Sequence, residues 1–182
     1  MKFIKALSIA ALSIGFIACN SEQSLQKYYV DNQDNKEFVA IDVPTSMFTN
    51  AESLDEEQLK TLETIKKINL LAIPKKAENE ERIAAEKSNI SEILKNKKYQ
   101  LLMKYGGANA KMEVYYTGEE EAVDEVVVYG FDNERGVGIA RVLGDNMKPG
   151  DILGLMRSLE KGDIDMDGLK GISTIFSDQV SK

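Results

Sequence analysis

Between Tyr99 and Gly144 the sequence alternates apolar and polar residues in four consecutive runs: Tyr99 to Tyr105, Lys111 to Thr117, Val123 to Asp132 and Val137 to Gly144. A period of two sends alternate side chains to opposite faces of a strand. The connectors are Gly106-Gly107-Ala108-Asn109, Gly118-Glu119-Glu120-Glu121 and Asp132-Asn133-Glu134-Arg135-Gly136. They are too short for a crossover and rich in turn formers, so neighbouring runs are expected to pair as hairpins in an antiparallel meander.

The flanking segments supply the rest of the layer. Phe38 to Val43 places Val39, Ile41 and Val43 on one side and stops at Pro44, which predicts a strand. Leu54 and Leu59 are placed as a hydrophobic staple around Asp55 as N-cap, Gln58 completes a capping box, and Leu59 with Leu62 gives the buried face of a helix reaching about Thr64. Ile68 to Ile73 reads as a second strand, and its near-continuous apolarity points to a position covered on both faces or central in the sheet. From about Ala77 to Lys97 the period is helical, with Ile83, Ile90, Ile93 and Leu94 on one stripe. Glu80 and Glu81 open this helix and Lys95, Lys97 and Lys98 close it, which complements the helix dipole; its charged outer face reads as solvated. Pro149 starts another helix with Ile152, Leu155, Met156 and Leu159 inward and Gly162 as the stop, followed by a short helix around Leu169 to Phe176. The expected fold is α+β: a mixed sheet with a C-terminal four-strand antiparallel meander, its helices packed mainly on one face.

The N-terminus reads as an address. Met1 to Lys5 carries two lysines, Ala6 to Ala18 is apolar or small apart from Ser8 and Ser13, and Cys19 follows. About 20 apolar residues are needed to span a bilayer, so this shorter run predicts a secretion signal. Phe16-Ile17-Ala18-Cys19 resembles the bacterial lipobox, with Phe16 where leucine is commonest. Cys19 is the only cysteine in the chain and sits where the apolar run gives way to Asn20-Ser21-Glu22-Gln23-Ser24. The expected organisation is a lipoprotein signal peptide over 1–18, lipid attachment at Cys19, a flexible tether over 19–36 and one α+β domain over 37–182. Glu22 is the only acid close to the cysteine, so the expected location is the outer membrane, lipid-anchored and facing the periplasm.

Composition removes several chemistries. The chain has no histidine and no tryptophan, and 30 acidic residues face 23 basic ones. Without histidine there is no Ser-His-Asp or Cys-His pair and no histidine-containing zinc site, and one cysteine excludes an intrachain disulfide. The acidic balance disfavours nucleic acid. Asp163-Ile164-Asp165-Met166-Asp167-Gly168 matches the first half of a calcium loop, making Asp163, Asp165 and Asp167 a weak calcium candidate; Thr174 stands where the bidentate glutamate belongs, so a turn and a helix cap explain the segment better. Ser24-Leu25-Gln26-Lys27 has S-x-x-K spacing but lies in the expected tether, without an S-D-N partner. Gly136-Val137-Gly138 opens a strand instead of a helix, which leaves no helix N-terminus for phosphate. Glu119, Glu120, Glu121, Asp124 and Glu125 read as a solubilising hairpin and not as a glycosidase pair. Tyr99, Tyr105, Tyr115, Tyr116 and Tyr129 fall on the meander, about half of them expected in the core.

The cysteine motif, the strand leading to Met47-Phe48, the helix and strand after it, the meander, and the segments Val142-Leu143-Gly144 and Gly162-Asp163-Ile164-Asp165 together resemble the domain of unknown function 4252 family of Gram-negative envelope lipoproteins. The resemblance implies a secreted, lipid-anchored domain and supplies no catalytic residues. The reading is therefore a noncatalytic interaction module, without cofactor, attached to the membrane through Cys19 and engaging another envelope protein. The alternative is a periplasmic small-ligand or weak calcium-binding domain.

Overall fold

The computed structural model describes residues 23–45 and 54–160, with side chains as far as Leu155. In chain order the elements are α1 (Leu25–Asn32), β1 (Val39–Pro44), α2 (Glu56–Thr64), β2 (Ile65–Pro74), α3 (Glu80–Leu94), β3 (Gln100–Gly106), β4 (Ala110–Glu119), β5 (Ala122–Asp132), β6 (Gly136–Met147) and α4 (Pro149–Glu160). The six strands form one sheet in the order β1-β2-β6-β5-β4-β3. The meander from β3 to β6 is present with each strand beside the next.

Three expectations about architecture are corrected. The sheet is wholly antiparallel and not mixed, because α2 brings the chain back to the end of the sheet at which β1 finished, so β2 returns alongside β1 in the opposite sense. The helices do not gather on one face. Alternation places Leu71, Ile73, Val127, Tyr129, Val137 and Ile139 on a first face, packed with residues of α1 and α3, and Val114, Tyr116, Val126 and Val142 on the second, packed with residues of α2 and α4. The segment expected to be a flexible tether contains α1, with Leu25, Tyr28 and Tyr29 buried in the first-face cluster. Its three core residues fall at i, i+3 and i+4, one turn's stripe, which a polar average over 19–36 conceals.

Local chemistry sets the element ends. Asp55 caps α2 by accepting from the Gln58 amide at 2.8 Å, while the Gln58 side chain accepts from the Asp55 amide at 3.0 Å. Leu62 is buried as expected, but Leu59 is 40% exposed, which leaves α2 a narrower apolar face than the sequence suggests. Asp55→Ala is expected to cost about 1 kcal/mol, measured by urea denaturation; no change would mean that packing alone fixes this helix start. α3 begins at Glu80 instead of Ala77 because Asn79 folds back, its Nδ2 donating to the Pro74 carbonyl and its Oδ1 accepting from the Lys76 amide. In the β5–β6 turn, Asp132 Oδ1 accepts from the amides of Glu134 and Arg135. Gly136 closes that turn at φ 122°, where a Cβ would lie 2.0 Å from the Ile73 carbonyl oxygen. The helix expected at Leu169 to Phe176, and Met156, Leu159 and Gly162, fall outside the residues whose side chains are described.

Candidate functional site

Among the described residues, two surfaces of the sheet are left uncovered. Ala72, Gly138, Gly130, Met112 and Tyr105 are successive cross-strand partners, forming one row across the second face from β2 to β3. The next row is Leu70, Ala140, Val128, Val114 and Met103, and there Val114, Val128 and Met103 join the cluster beneath α2 and α4. Ala72, Gly138, Gly130 and Met112 of this first row line a groove of about 790 Å³ with Pro74, Val128, Asp132 and Arg135. Its depth follows from its small floor residues. A Cβ on Gly138 would press to 2.9 Å from the Ala72 Cβ, whereas one on Gly130 would meet only the Lys111 carbonyl oxygen at 3.6 Å and point into open space.

The second surface is β3, an edge strand exposed along nearly its whole length. Leu101 is 53% exposed, Leu102 37% and Tyr105 74%. At the other edge, β1 ends in Pro44, and its Asp42 is engaged by Tyr29, Asn69 and Lys67. β3 has an irregular register between Leu101 and Met103 and carries Lys104, two features that discourage a further strand from pairing there.

Buried and part-buried hydrogen bonds on the first face hold α1 in place. Tyr28 Oη donates to Glu86 Oε2 at 2.6 Å, Tyr29 Oη donates to Asp42 Oδ1 at 2.6 Å, and Arg141 Nη1 donates to Gln26 Oε1 at 2.8 Å. Burial, then the bond to the Glu86 carboxylate, raises the Tyr28 hydroxyl well above the ordinary phenol range. Burial and Asp42 do the same for Tyr29. Burial and Glu113 push Tyr115 up to about 12, so none of these three phenols is poised as a base near neutrality. Burial would raise Asp42 and Glu113, but hydrogen bonds outweigh it and hold both below their usual values: from Tyr29, Lys67 and Asn69 to Asp42, and from Lys111 and Tyr115 to Glu113. A carboxylate depressed in the folded state stabilises above its unfolded pKa, and that contribution is lost as pH falls through the folded value. Stability is therefore expected to decline as pH drops below 4.5 for Glu113 and below 3.8 for Asp42, the ordinary values beneath which each carboxylate is held, and Glu113→Gln should flatten the upper part of the decline in denaturation curves. An unchanged slope would remove Glu113 from this account.

The residues singled out in the sequence meet different ends. Cys19 and the calcium candidate Asp163, Asp165 and Asp167 lie outside the described residues. Among the described residues no group of three or more acidic, histidine or cysteine side chains is placed to hold a metal ion, and no helix is long and apolar enough to cross a membrane. Ser24 is the N-cap of α1, its Oγ accepting from the Lys27 amide at 3.2 Å, which accounts for the S-x-x-K spacing. Glu119, Glu120 and Glu121 are exposed at the β4–β5 turn. Glu125 is not part of that solvated tip: it is buried and paired with Arg141. Of the five meander tyrosines Tyr99, Tyr116 and Tyr129 are buried, Tyr115 is half-buried and Tyr105 alone is exposed, so they do not assemble a shared aromatic face. The buried Glu86 and Arg141 were not anticipated, although Glu86 lies between Ile83 and Ile90 on the apolar stripe of α3.

The match to a family model fits this anatomy. The domain of unknown function family DUF4252 matches residues 28–155, from within α1 to Leu155. The chain belongs to the DUF4252 family. The DUF4252 match spans the whole sheet, the groove and β3, and leaves Cys19 and Asp163 to Asp167 outside. No curated protein and no solved structure matches this DUF4252 chain.

Proposed function

We propose that the protein is a noncatalytic interaction module of the cell envelope, attached to the membrane by lipid on Cys19 and engaging another envelope protein through the β3 side of its sheet. The observation that carries this reading is the exposure of Leu101, Leu102 and Tyr105 on one edge strand. Large apolar side chains gathered on one exposed element favour a protein contact over scattered surface chance. The register irregularity and Lys104 favour recognition through side chains over extension of the sheet. The periplasmic face of the outer membrane is the compartment this reading requires.

Two experiments test it. Cys19→Ala is expected to abolish acyl labelling of the chain, and persistent labelling refutes the anchor. Crosslinking in intact cells should capture one reproducible partner, lost when Leu101→Ser and Tyr105→Ser are combined. Both positions are exposed, so the double variant should retain parental stability within about 1 kcal/mol. Capture of the same partner by the double variant, or of none by the parent, defeats the reading.

A further inference from the structure

We infer that the protein met at β3 presents an acidic segment, which lies along the strand with its carboxylates on Lys97, Lys98 and Lys104. The inference rests on the proposed contact at β3 and supplies its chemistry. Charge is segregated to either side of this strand's C-terminal turn. Residues 95–112 contain five lysines and no aspartate or glutamate, in a chain whose formal net charge is −7. Residues 113–134 contain eight acids and no lysine or arginine. The exposed apolar side chains of β3 therefore stand inside a basic block, and a surface of that composition selects the opposite sign in whatever covers it.

Groups within the domain absorb little of that positive charge. Lys95 is paired with Glu92, and Lys98 rests over the Tyr99 ring at 4.8 Å. Lys97 and Lys98 are exposed, and among the described residues no ion pair holds either one. Glu113 Oε1 lies 2.7 Å from Lys111 Nζ and 3.6 Å from Lys104 Nζ, so the nearer lysine takes the carboxylate and Lys104, 58% exposed, keeps only a long contact. The register irregularity between Leu101 and Met103 adds a second element of recognition. Leu101 pairs with Tyr115 and Lys104 with Glu113, two positions on the first face of β4, so the extra residue brings Leu101 and Lys104 to one side. One segment can then seat an apolar residue on Leu101 and a carboxylate on Lys104. An anionic membrane surface fits less well. Gln100 Nε2 donates to the Gly118 carbonyl at 3.2 Å, which sets the exposed Glu119, Glu120 and Glu121 at the same end of the sheet as Lys97 and Lys98. A broad anionic surface would meet both signs there, whereas a narrow segment along β3 avoids the acidic turn.

Two crosslinking chemistries, applied to the full chain in envelopes isolated from the producing cells, test the inference apart from the reading beneath it. A photo-crosslinking benzophenone side chain at position 105, or at 102 in a second variant, captures what meets β3; Tyr105 and Leu102 are both exposed. A carbodiimide, which joins an amine to a carboxylate in direct contact, then reports the charges, and mass spectrometry maps both kinds of adduct. The expected product is one protein captured from 105 or 102 and also joined by an amide bond from Lys97, Lys98 or Lys104 to one of its own aspartates or glutamates. Lys97→Glu, Lys98→Glu and Lys104→Glu combined should lower that capture by about tenfold or more. All three positions are exposed, so circular dichroism and thermal melting of the triple variant should match the parent. Parental capture by the triple variant, amide bonds formed only from partner lysines to Glu119, Glu120 or Glu121, or no amide bond to the captured protein each overturn the inference and leave the contact at β3 standing. Adducts only to lipid or to a second copy, or none from either position, defeat the proposed function itself and this inference with it.

Discussion

Glu125→Ala is expected to destabilise the domain by about 3 to 5 kcal/mol, the usual cost of leaving one member of a buried ion pair alone. Arg141 lies on β6 in the interior, 3% exposed, and its Nε donates to Glu125 Oε1 at 2.5 Å while Nη1 reaches Gln26. Removing the carboxylate strands a guidinium charge between the sheet and α1, where water cannot replace the lost partner fully. Combining Glu125→Leu with Arg141→Met should recover most of the loss, because an apolar pair of similar volume avoids the desolvation that the ion pair must offset. Urea denaturation at neutral pH measures both. A single-variant loss below about 1 kcal/mol would show that the pair is hydrated and energetically ordinary.

Leu25→Ala should cost about 2 to 5 kcal/mol, although it stands only six residues after Cys19 in a stretch whose composition is that of a linker. Its side chain is 0% exposed and lies in the first-face cluster, and its backbone amide is 3.3 Å from the Tyr99 hydroxyl that accepts from it. Truncation leaves a cavity between α1 and the sheet that neighbouring strands cannot close. Val30→Ala, on the exposed side of the same helix, provides the contrast and should change stability by no more than about 0.5 kcal/mol. Equal effects at the two positions would mean that α1 is not part of the cooperative unit.

The elements that were legible are those whose pattern repeats. The four meander strands are found within a few residues of their expected bounds, because period-two alternation and short glycine-bearing turns are local signals. The capping box at Asp55 is legible for the same reason. What stayed hidden depends on long-range placement. α1 is only eight residues long, so composition over a wider window outvoted the stripe of Leu25, Tyr28 and Tyr29. The division of helices between faces follows from which strand each helix returns to, information that no local window holds. The groove arises because small residues on three strands share one row, and only the register reveals that Ala72, Gly138 and Gly130 are neighbours. Arg141 carried a signal that was readable in principle: a charge within the apolar run Val137 to Gly144 on a central strand calls for a buried partner.

The course of α3 has a consequence for orientation. Its first turn stands beside Lys75 and Pro74, at the groove, while its last turn shares a small hollow with Gln23, where the described chain begins. Its fifteen residues set these two poles roughly 22 Å apart. With lipid on Cys19, only a handful of residues would separate the bilayer from the Gln23 pole, a leash of roughly 14 Å at full extension. Such a leash would hold the Gln23 pole near the bilayer and leave Pro74, which lines the groove, at the far pole of α3.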